Sequence, residues 1–164
     1  MELHTTYYSS SIGLLEITGN DDGIVSIHFV DEKKKNSTKT HSSLKECVYQ
    51  LDEYFTGDRK EFGLKLNPSG TDFQKRVWEQ LITVPFGKTA SYLDISKKLG
   101  DANATRAVGN ANGSNPIPII VPCHRVIGVS GKLVGYSGGL WRKEWLLNHE
   151  KSSTFGKQTN LFGN

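Results

Sequence analysis

The chain has 164 residues, of which 36% are hydrophobic, 23% charged and 10% aromatic. That is the composition of one or two small soluble units, with no apolar run near the ~18 residues of a membrane span and too few cysteines, Cys47 and Cys123, for a disulfide framework. The net charge of +3 hides an asymmetry: residues 1–68 hold 8 Lys+Arg against 11 Asp+Glu, and residues 69–164 hold 12 against 6, so the second half is the one suited to a polyanion.

Met1-Glu2-Leu3-His4 carries no basic region followed by an apolar stretch, so a cytoplasmic protein with reduced thiols is expected. Ile12 to Thr18 and Gly23 to Val30 predict two strands, joined by turn chemistry at Asn20-Asp21-Asp22-Gly23. Residues 31–41 read as a Lys/Ser/Thr-rich loop. Ser43 and Glu46 fit a capping box, opening a helix whose Leu44, Val48, Leu51 and Phe55 recur at helical spacing before Gly57-Asp58 stops it. Leu64-Lys65-Leu66 predicts a third strand. Asn67-Pro68-Ser69-Gly70 marks a boundary, and the charge changes sign there.

Thr71 and Gln74 form a second capping box, for a helix with Phe73, Val77, Trp78 and Leu81 as its buried stripe. After the turn Pro85-Phe86-Gly87-Lys88, Ser91 caps a short helix through Leu99, stopped by Gly100. Another runs from about Ala104 to Asn112, so the two make a helix-turn-helix. Residues 114–122 hold three prolines, and residues 125–136, with Gly128, Gly131 and Gly135, suggest a small hairpin or wing. A last helix spans about Leu140 to Glu150. The expected domains are therefore residues 1–68 and 69–151, with a polar tail, 152–164, that frays.

Cys123 is the residue best placed for chemistry. A thiol is a strong nucleophile only as thiolate, and nearby cations or a base favour that form. His124 and Arg125 follow it directly, and Pro116, Pro118 and Pro122 stiffen the approach. Cys47 lies inside an amphipathic helix with no base near it in sequence, so it reads as filler. A Cys-His pair also needs a group to orient the histidine. Asn115, Glu144 and Glu150 are all candidates, and spacing does not choose among them. The dispersed histidines and the two distant cysteines show no metal-ligand spacing.

The run Asn115-Pro116-Ile117-Pro118-Ile119-Ile120-Val121-Pro122-Cys123-His124-Arg125-Val126 resembles the active-site signature of the O6-alkylguanine-DNA alkyltransferases. Gly70-Thr71-x-Phe73-Gln74-x-x-Val77-Trp78, Gly87, Ser91-Tyr92 and Arg106-Ala107-Val108-Gly109 are similar to that family's helices. Tyr136-Ser137-Gly138-Gly139-Leu140, Lys143 and Leu146-Leu147-x-x-Glu150 are similar to its closing segment. Gly13-x-Leu15, Gly23-Ile24 and Tyr54-Phe55-x-Gly57 match more loosely, so the likeness covers about residues 8–151.

The resemblance implies an α+β protein. A small ribonuclease H-like α/β domain would precede a mostly helical, winged helix-turn-helix domain carrying the active site. It implies direct-reversal DNA repair, with one irreversible transfer of an alkyl group from guanine O6, and with O4-alkylthymine a second candidate, onto Cys123. His124 would act as base through a bridging water, Glu150 would orient it, and Asn115 would brace the turn. The Tyr92 hydroxyl would donate to the purine. The carbonyls of Cys123 and Val126 would take the guanine amino group, with Tyr136, Ser137 and Lys143 also at the substrate. Arg106 would fill the gap left by a flipped base. Ala107, Gly109 and Arg125 would also contact DNA. The implied partner is double-stranded DNA containing O6-alkylguanine, met by a monomer with no cofactor, no metal and no membrane contact. A cysteine-free relative would only sense such DNA, and an unrelated Cys-His hydrolase would turn over repeatedly. Trp141 and Arg142 fill a variable slot before Lys143.

Overall fold

The computed structural model describes residues 2–34 and 40–161. The chain divides into two compact units, Met1–Gly70 with Pro116–Ile120, and Thr71–Asn115 with Val121–Asn164. The break after Gly70 lies at the sequence boundary. The expected second domain is not continuous, however, because Pro116–Ile120 packs with the first unit, where Ile27 N–H donates to the Pro116 carbonyl at 2.9 Å.

The first unit is a three-stranded antiparallel sheet in the order β1-β2-β3, β1 being His4–Ser10, β2 Gly13–Asn20 and β3 Gly23–Val30. Leu15 and Ile17 alternate inward on β2, and Ile24 and Ile27 are buried on β3, the two-residue period of a half-buried strand. At the β2–β3 turn the Asp22 N–H donates to Asn20 Oδ1 at 2.9 Å. Gly23 has φ +134°, and a Cβ there would meet the Lys65 carbonyl oxygen at 2.8 Å, so both backbone and space demand glycine.

Helix α1, Ser42–Phe55, buries Leu44, Cys47, Leu51, Tyr54 and Phe55 on one face. Its cap is His41, whose Nδ1 accepts from the Ser43 N–H, not the Ser43–Glu46 box expected from sequence. The expected strand at Leu64–Leu66 is a single bridge, Ile24 to Leu66. Of the expected loop 31–41, residues 35–39 lie outside the described residues.

The second unit holds α2, Asp72–Ile82, α3, Tyr92–Lys98, α4, Thr105–Gly113, and α5, Leu140–Leu161. Thr71 and Gln74 do form a capping box, with Thr71 Oγ1 accepting from the Gln74 N–H and Gln74 Oε1 from the Thr71 N–H. Val77, Trp78 and Leu81 are buried along α2, each burial contributing about 1.5–3 kcal/mol. The Trp78 indole N–H donates to the Ala111 carbonyl at 2.8 Å, joining α2 to the end of α4. Ser91 caps α3 reciprocally with Asp94.

The expected hairpin over 125–136 is instead a short parallel pairing, β4 (Ala90–Ser91) with β5 (Val126–Ile127), followed by a glycine-rich loop. That loop is closed by bonds from Gly128 N–H to the Lys132 carbonyl and from Gly131 N–H to the Gly128 carbonyl. The expected frayed tail is helical as far as Leu161; polarity alone does not stop a helix, and no proline interrupts 151–161. Residues 162–164 lie outside the described residues.

Candidate active site

Overlapping turns fix the backbone at Cys123. The Cys123 N–H donates to the Val121 carbonyl and the Arg125 N–H to that of Pro122. Cys123–Arg125 form one 3-10 turn, closed by Val126 N–H on the Cys123 carbonyl. Asn115 Nδ2 holds the Val121 carbonyl at 2.8 Å. Cys123 is 5% exposed, and His124 is fully buried.

Helix α5 supplies the other wall. Lys143, Leu146 and Glu150 follow one another at helical spacing and are all fully buried, so they share one face. Glu150 accepts from four donors: His124 Nε2 at 2.7 Å, Arg125 Nε at 2.8 Å, Arg125 Nη2 at 3.0 Å and the Gly87 N–H at 3.2 Å. Burial by itself would raise its carboxyl, but the bond and charge of His124, then those of Arg125, hold it far below the usual carboxylate range. Glu144 is exposed on the same helix. Of the three possible orienting residues, Glu150 meets the imidazole and Asn115 grips the turn.

The ionised Glu150 decides the tautomer of His124. A carboxylate only accepts, so Nε2 carries the hydrogen and Nδ1 is the free base. Nδ1 is buried with no hydrogen-bond partner among the described residues. Burial lowers the His124 pKa, with the Glu150 bond opposing and the Arg125 and Lys143 charges adding to the drop. The imidazole is therefore neutral at pH 7 and able to take a proton.

The thiol departs from expectation. Burial pushes Cys123 up to about 11, against the Asn115 hydrogen bond and the Lys143 charge, which pull it down. Adjacent cations do not leave a resting thiolate, because Arg125 spends its charge on Glu150. Arg125 is also corrected as a DNA contact. It is buried, its Nη1 donates to the Val84 carbonyl at 2.7 Å and its guanidinium stands 5.8 Å from the Phe86 ring centroid. It cannot reach a backbone phosphate from there.

Lys143 Nζ donates to the carbonyls of Val126 at 2.6 Å, Val134 at 2.8 Å and Gly135 at 3.3 Å, so its three hydrogens are committed to main chain. Burial lowers its pKa, with Cys123 opposing. The Tyr92 hydroxyl donates to the Val134 carbonyl at 3.2 Å. Burial, then the Cys123 charge, raises the pKa of Tyr92 and, more strongly, that of Tyr136. A cleft of about 450 Å³ is lined by Tyr92, Thr105, Arg106, Gly109, Val134 and Gly135. Arg106 and Ala107 are exposed on the first turns of α4, and Ser137 is exposed on the loop before α5. The described residues contain no cluster of three or more His, Cys, Asp or Glu side chains able to hold a metal.

Residues 72–152 match the 6-O-methylguanine DNA methyltransferase DNA binding domain, and residues 3–68 match the ribonuclease-like domain of the same proteins. The chain belongs to the 6-O-methylguanine DNA methyltransferase family. It is 46% identical over 153 residues to the methylated-DNA–protein-cysteine methyltransferase of Mycobacterium leprae, covering 91% of this chain and 93% of the relative. Identity to the protein of that name from Methanosarcina acetivorans is 44% over 155 residues, covering 92% and 99%. The crystal structure of Mycobacterium tuberculosis O6-methylguanine methyltransferase superposes with a TM-score of 0.83 at 44% identity, covering 93% of this chain and 94% of that one. A structure of the Mycobacterium tuberculosis protein in complex with DNA gives 0.81 at 45%, with the same coverage.

Within this methyltransferase frame, sequence reasoning overlooked two contributors. One is Gly87, whose N–H reaches Glu150. The other is Asn112, buried at 5% exposure, whose Nδ2 donates to the Cys123 carbonyl at 3.4 Å. Its position was a signal: Val108, Ala111 and Asn112 share the buried side of α4, and a polar residue on such a stripe needs a partner.

Proposed function

We propose that this methyltransferase repairs DNA by moving an alkyl group, methyl above all, from guanine O6 in a duplex to Cys123 Sγ, once per molecule. The observation that carries this reading is the buried Cys123-His124-Glu150 set, with a neutral histidine whose unbonded Nδ1 is its basic atom. The curated relatives' names and the Mycobacterium tuberculosis complex with DNA support the substrate class.

The thiol proton passes through a water to His124 Nδ1, while Nε2–H stays on the Glu150 carboxylate. The thiolate attacks the alkyl carbon, a C–S bond forms and the C–O6 bond breaks, and its electron pair goes to the purine. Tyr92 exchanges the Val134 carbonyl for the base and donates its hydroxyl as charge develops there. The imidazolium then returns its proton toward the product base. Nothing regenerates the thiol, because a thioether is not hydrolysed as an acyl-enzyme is.

A stacked base cannot meet a buried thiol, so the nucleotide is extruded, at a cost of a few kcal/mol. Arg106, exposed on α4 at the cleft rim, enters the duplex in its place. Small residues on that helix, Ala107 and Gly109 among them, let it approach the sugar-phosphate backbone, making the interface tolerant of sequence and sensitive to salt.

Intact mass and peptide mapping after mixing with duplex DNA bearing one O6-methylguanine test this. One methyl gained per chain, on Cys123, is expected. Tight binding with no gain would make the protein a sensor of alkylated DNA.

A further inference from the structure

Glu150 has more donors than an orienting carboxylate needs. His124 Nε2 and the Gly87 N–H already supply one donor to each of its oxygens, at 2.7 and 3.2 Å. Arg125 nevertheless lies along the same carboxylate, with Nε on Oε1 at 2.8 Å and Nη2 on Oε2 at 3.0 Å. Oε2 is therefore shared between the imidazole and the guanidinium. Arg125 is held from its far side as well, by Nη1 on the Val84 carbonyl at 2.7 Å, so its direction is fixed. The set is dry: His124 and Glu150 are fully buried and Arg125 is 6% exposed. Stability alone does not account for such a pair, because apolar side chains of similar volume often serve a fold as well or better.

The consequence is electrostatic. A buried charge is tolerated when an opposite charge balances it, and Glu150 and Arg125 balance each other. A proton reaching His124 from solvent would then be an unmatched charge. The charges acting on the imidazole are Glu150 and Lys143 from α5 and Arg125 beside it. Lys143 is a further cation, bonded to main-chain carbonyls, so it adds to the imbalance. Cys123 rests as a neutral thiol, and burial keeps the Tyr92 and Tyr136 phenols neutral. Without Arg125 the carboxylate would face the imidazole alone and favour imidazolium, which has no free Nδ1 to take a proton. With Arg125 in place, a proton on Nδ1 is matched when it comes from Cys123, because the thiolate left behind supplies the negative charge. When the thiolate is consumed in the C–S bond, the imidazolium loses that match and gives its proton up.

We propose that Arg125 is a positioning residue for the proton transfer: by occupying the Glu150 carboxylate it keeps His124 vacant at rest, so that the imidazole holds a proton only while Cys123 lacks one. This rests on the alkyl-transfer reading above. Arg125 touches neither the thiol proton nor the substrate and acts through Glu150. The S–H bond that breaks and the Nδ1–H bond that forms leave the net charge of the buried set unchanged.

The test reads His124 directly, without substrate, and then the pH profile of transfer. With 13C-labelled histidine, the Cε1–H resonance of His124, assigned through His124→Gln, reports its protonation. Arg125→Met should raise the proton affinity of His124 about tenfold or more, the effect of a carboxylate no longer shared. Arg125→Lys should stay close to the wild type, because it keeps the charge. Methyl transfer by Arg125→Met should then rise about threefold or more from pH 7 to 9, where the wild type is flat. The double variant Arg125→Met/Glu150→Gln should be flat again, though slower, because no anion remains to hold an imidazolium. Lost packing would instead lower the rate equally at every pH. An unchanged His124 or a flat rate in Arg125→Met would overturn the proposal, as would a double variant as steep as the single one. If Arg125→Met does not fold, the wild type decides: half-protonation of His124 at or above the ordinary ~6.5 would overturn the proposal, and half-protonation below it would support it. Absence of methyl transfer by the wild type would overturn the alkyl-transfer reading instead, and the His124 titration does not depend on that reaction, so the two failures are distinguishable.

Discussion

Cys47 in the first unit and Cys123 in the second are both buried, unbridged thiols, and burial raises both, to about 12 and about 11. Nothing opposes burial at Cys47, which lies among the apolar side chains of α1. At Cys123 the Asn115 amide and the Lys143 charge oppose it, and the next residue is a neutral base anchored to Glu150. The same contrast runs through the two cores. Among the described residues, the buried polar side chains of the first unit, Thr6, Asn20 and Gln50, are all uncharged, whereas the second unit also buries His124, Arg125, Lys143 and Glu150. Depth and a raised pKa are therefore common to both cysteines. What differs is the neighbour in sequence, which at Cys123 is an imidazole held by Glu150.

The sharpest way to break this contrast is to exchange the two thiols for alanine. Cys123→Ala should abolish methyl transfer, read by intact mass, while retaining binding to lesion DNA. Cys47→Ala should still acquire one methyl group per chain. Residual transfer by the first variant, or none by a folded second one, would remove the distinction.

Next in size is Glu150→Gln. It leaves the buried Arg125 guanidinium without its anion, and breaking a buried pair from one side costs about 3–5 kcal/mol. Chemical denaturation should register that loss, and transfer should slow as His124 loses the negative charge that favours its protonated form. A loss below about 1 kcal/mol, the scale of an exposed pair, would show that the network is less dry than its geometry implies.

Arg106→Ala should lower transfer from duplex DNA about thirtyfold, equivalent to ~2 kcal/mol of the extrusion cost. It should barely affect reaction with the free base. Equal losses on both substrates would remove the plug role.

Methylation itself should be smaller still. An added methyl in the packed turn around Cys123 should destabilise the protein by about 1 kcal/mol, as overpacking does. An unchanged melting temperature after reaction would mean that the turn has room to spare.

The smallest effect is expected between about pH 7 and 9, a range that lies above the ordinary ~6.5 of histidine and below the Cys123 value. His124 is depressed by burial, so it stays a free base there and the rate should be flat. Stability follows the same sign. The unfolded chain takes up the histidine proton first, so the contribution is complete above about pH 6.5 and drains away as pH falls below it. A rate rising tenfold per unit from pH 7 to 9 would mean that thiolate forms without help from His124.

Much of this was legible in the sequence. Thr71 with Gln74 and Ser91 at its helix start are caps, and caps depend on residues three apart. The spacing of Lys143, Leu146 and Glu150 likewise lies on one helix face whatever surrounds it. Strand β1 was not legible, because His4–Ser10 is mostly polar and hydroxylic, and it becomes a strand through pairing with β2, down to the Tyr7 hydroxyl on Glu16. The role of Arg125 was hidden for a related reason: a basic residue next to a cysteine reads as a surface charge until Glu150, 25 residues away, turns it inward.

The caps, the helix faces, the boundary near Gly70 and the adjacency of Cys123 and His124 were readable along the chain, because each depends on residues close in sequence. Only the tertiary structure decided that Glu150 rather than Glu144 meets His124, that Arg125 is a buried counter-ion, that Cys123 rests as a thiol and that Asn112 and Lys143 grip its flanking carbonyls. Those outcomes depend on which groups lose water together and which charges then face each other, and both are properties of packing across long separations in the chain.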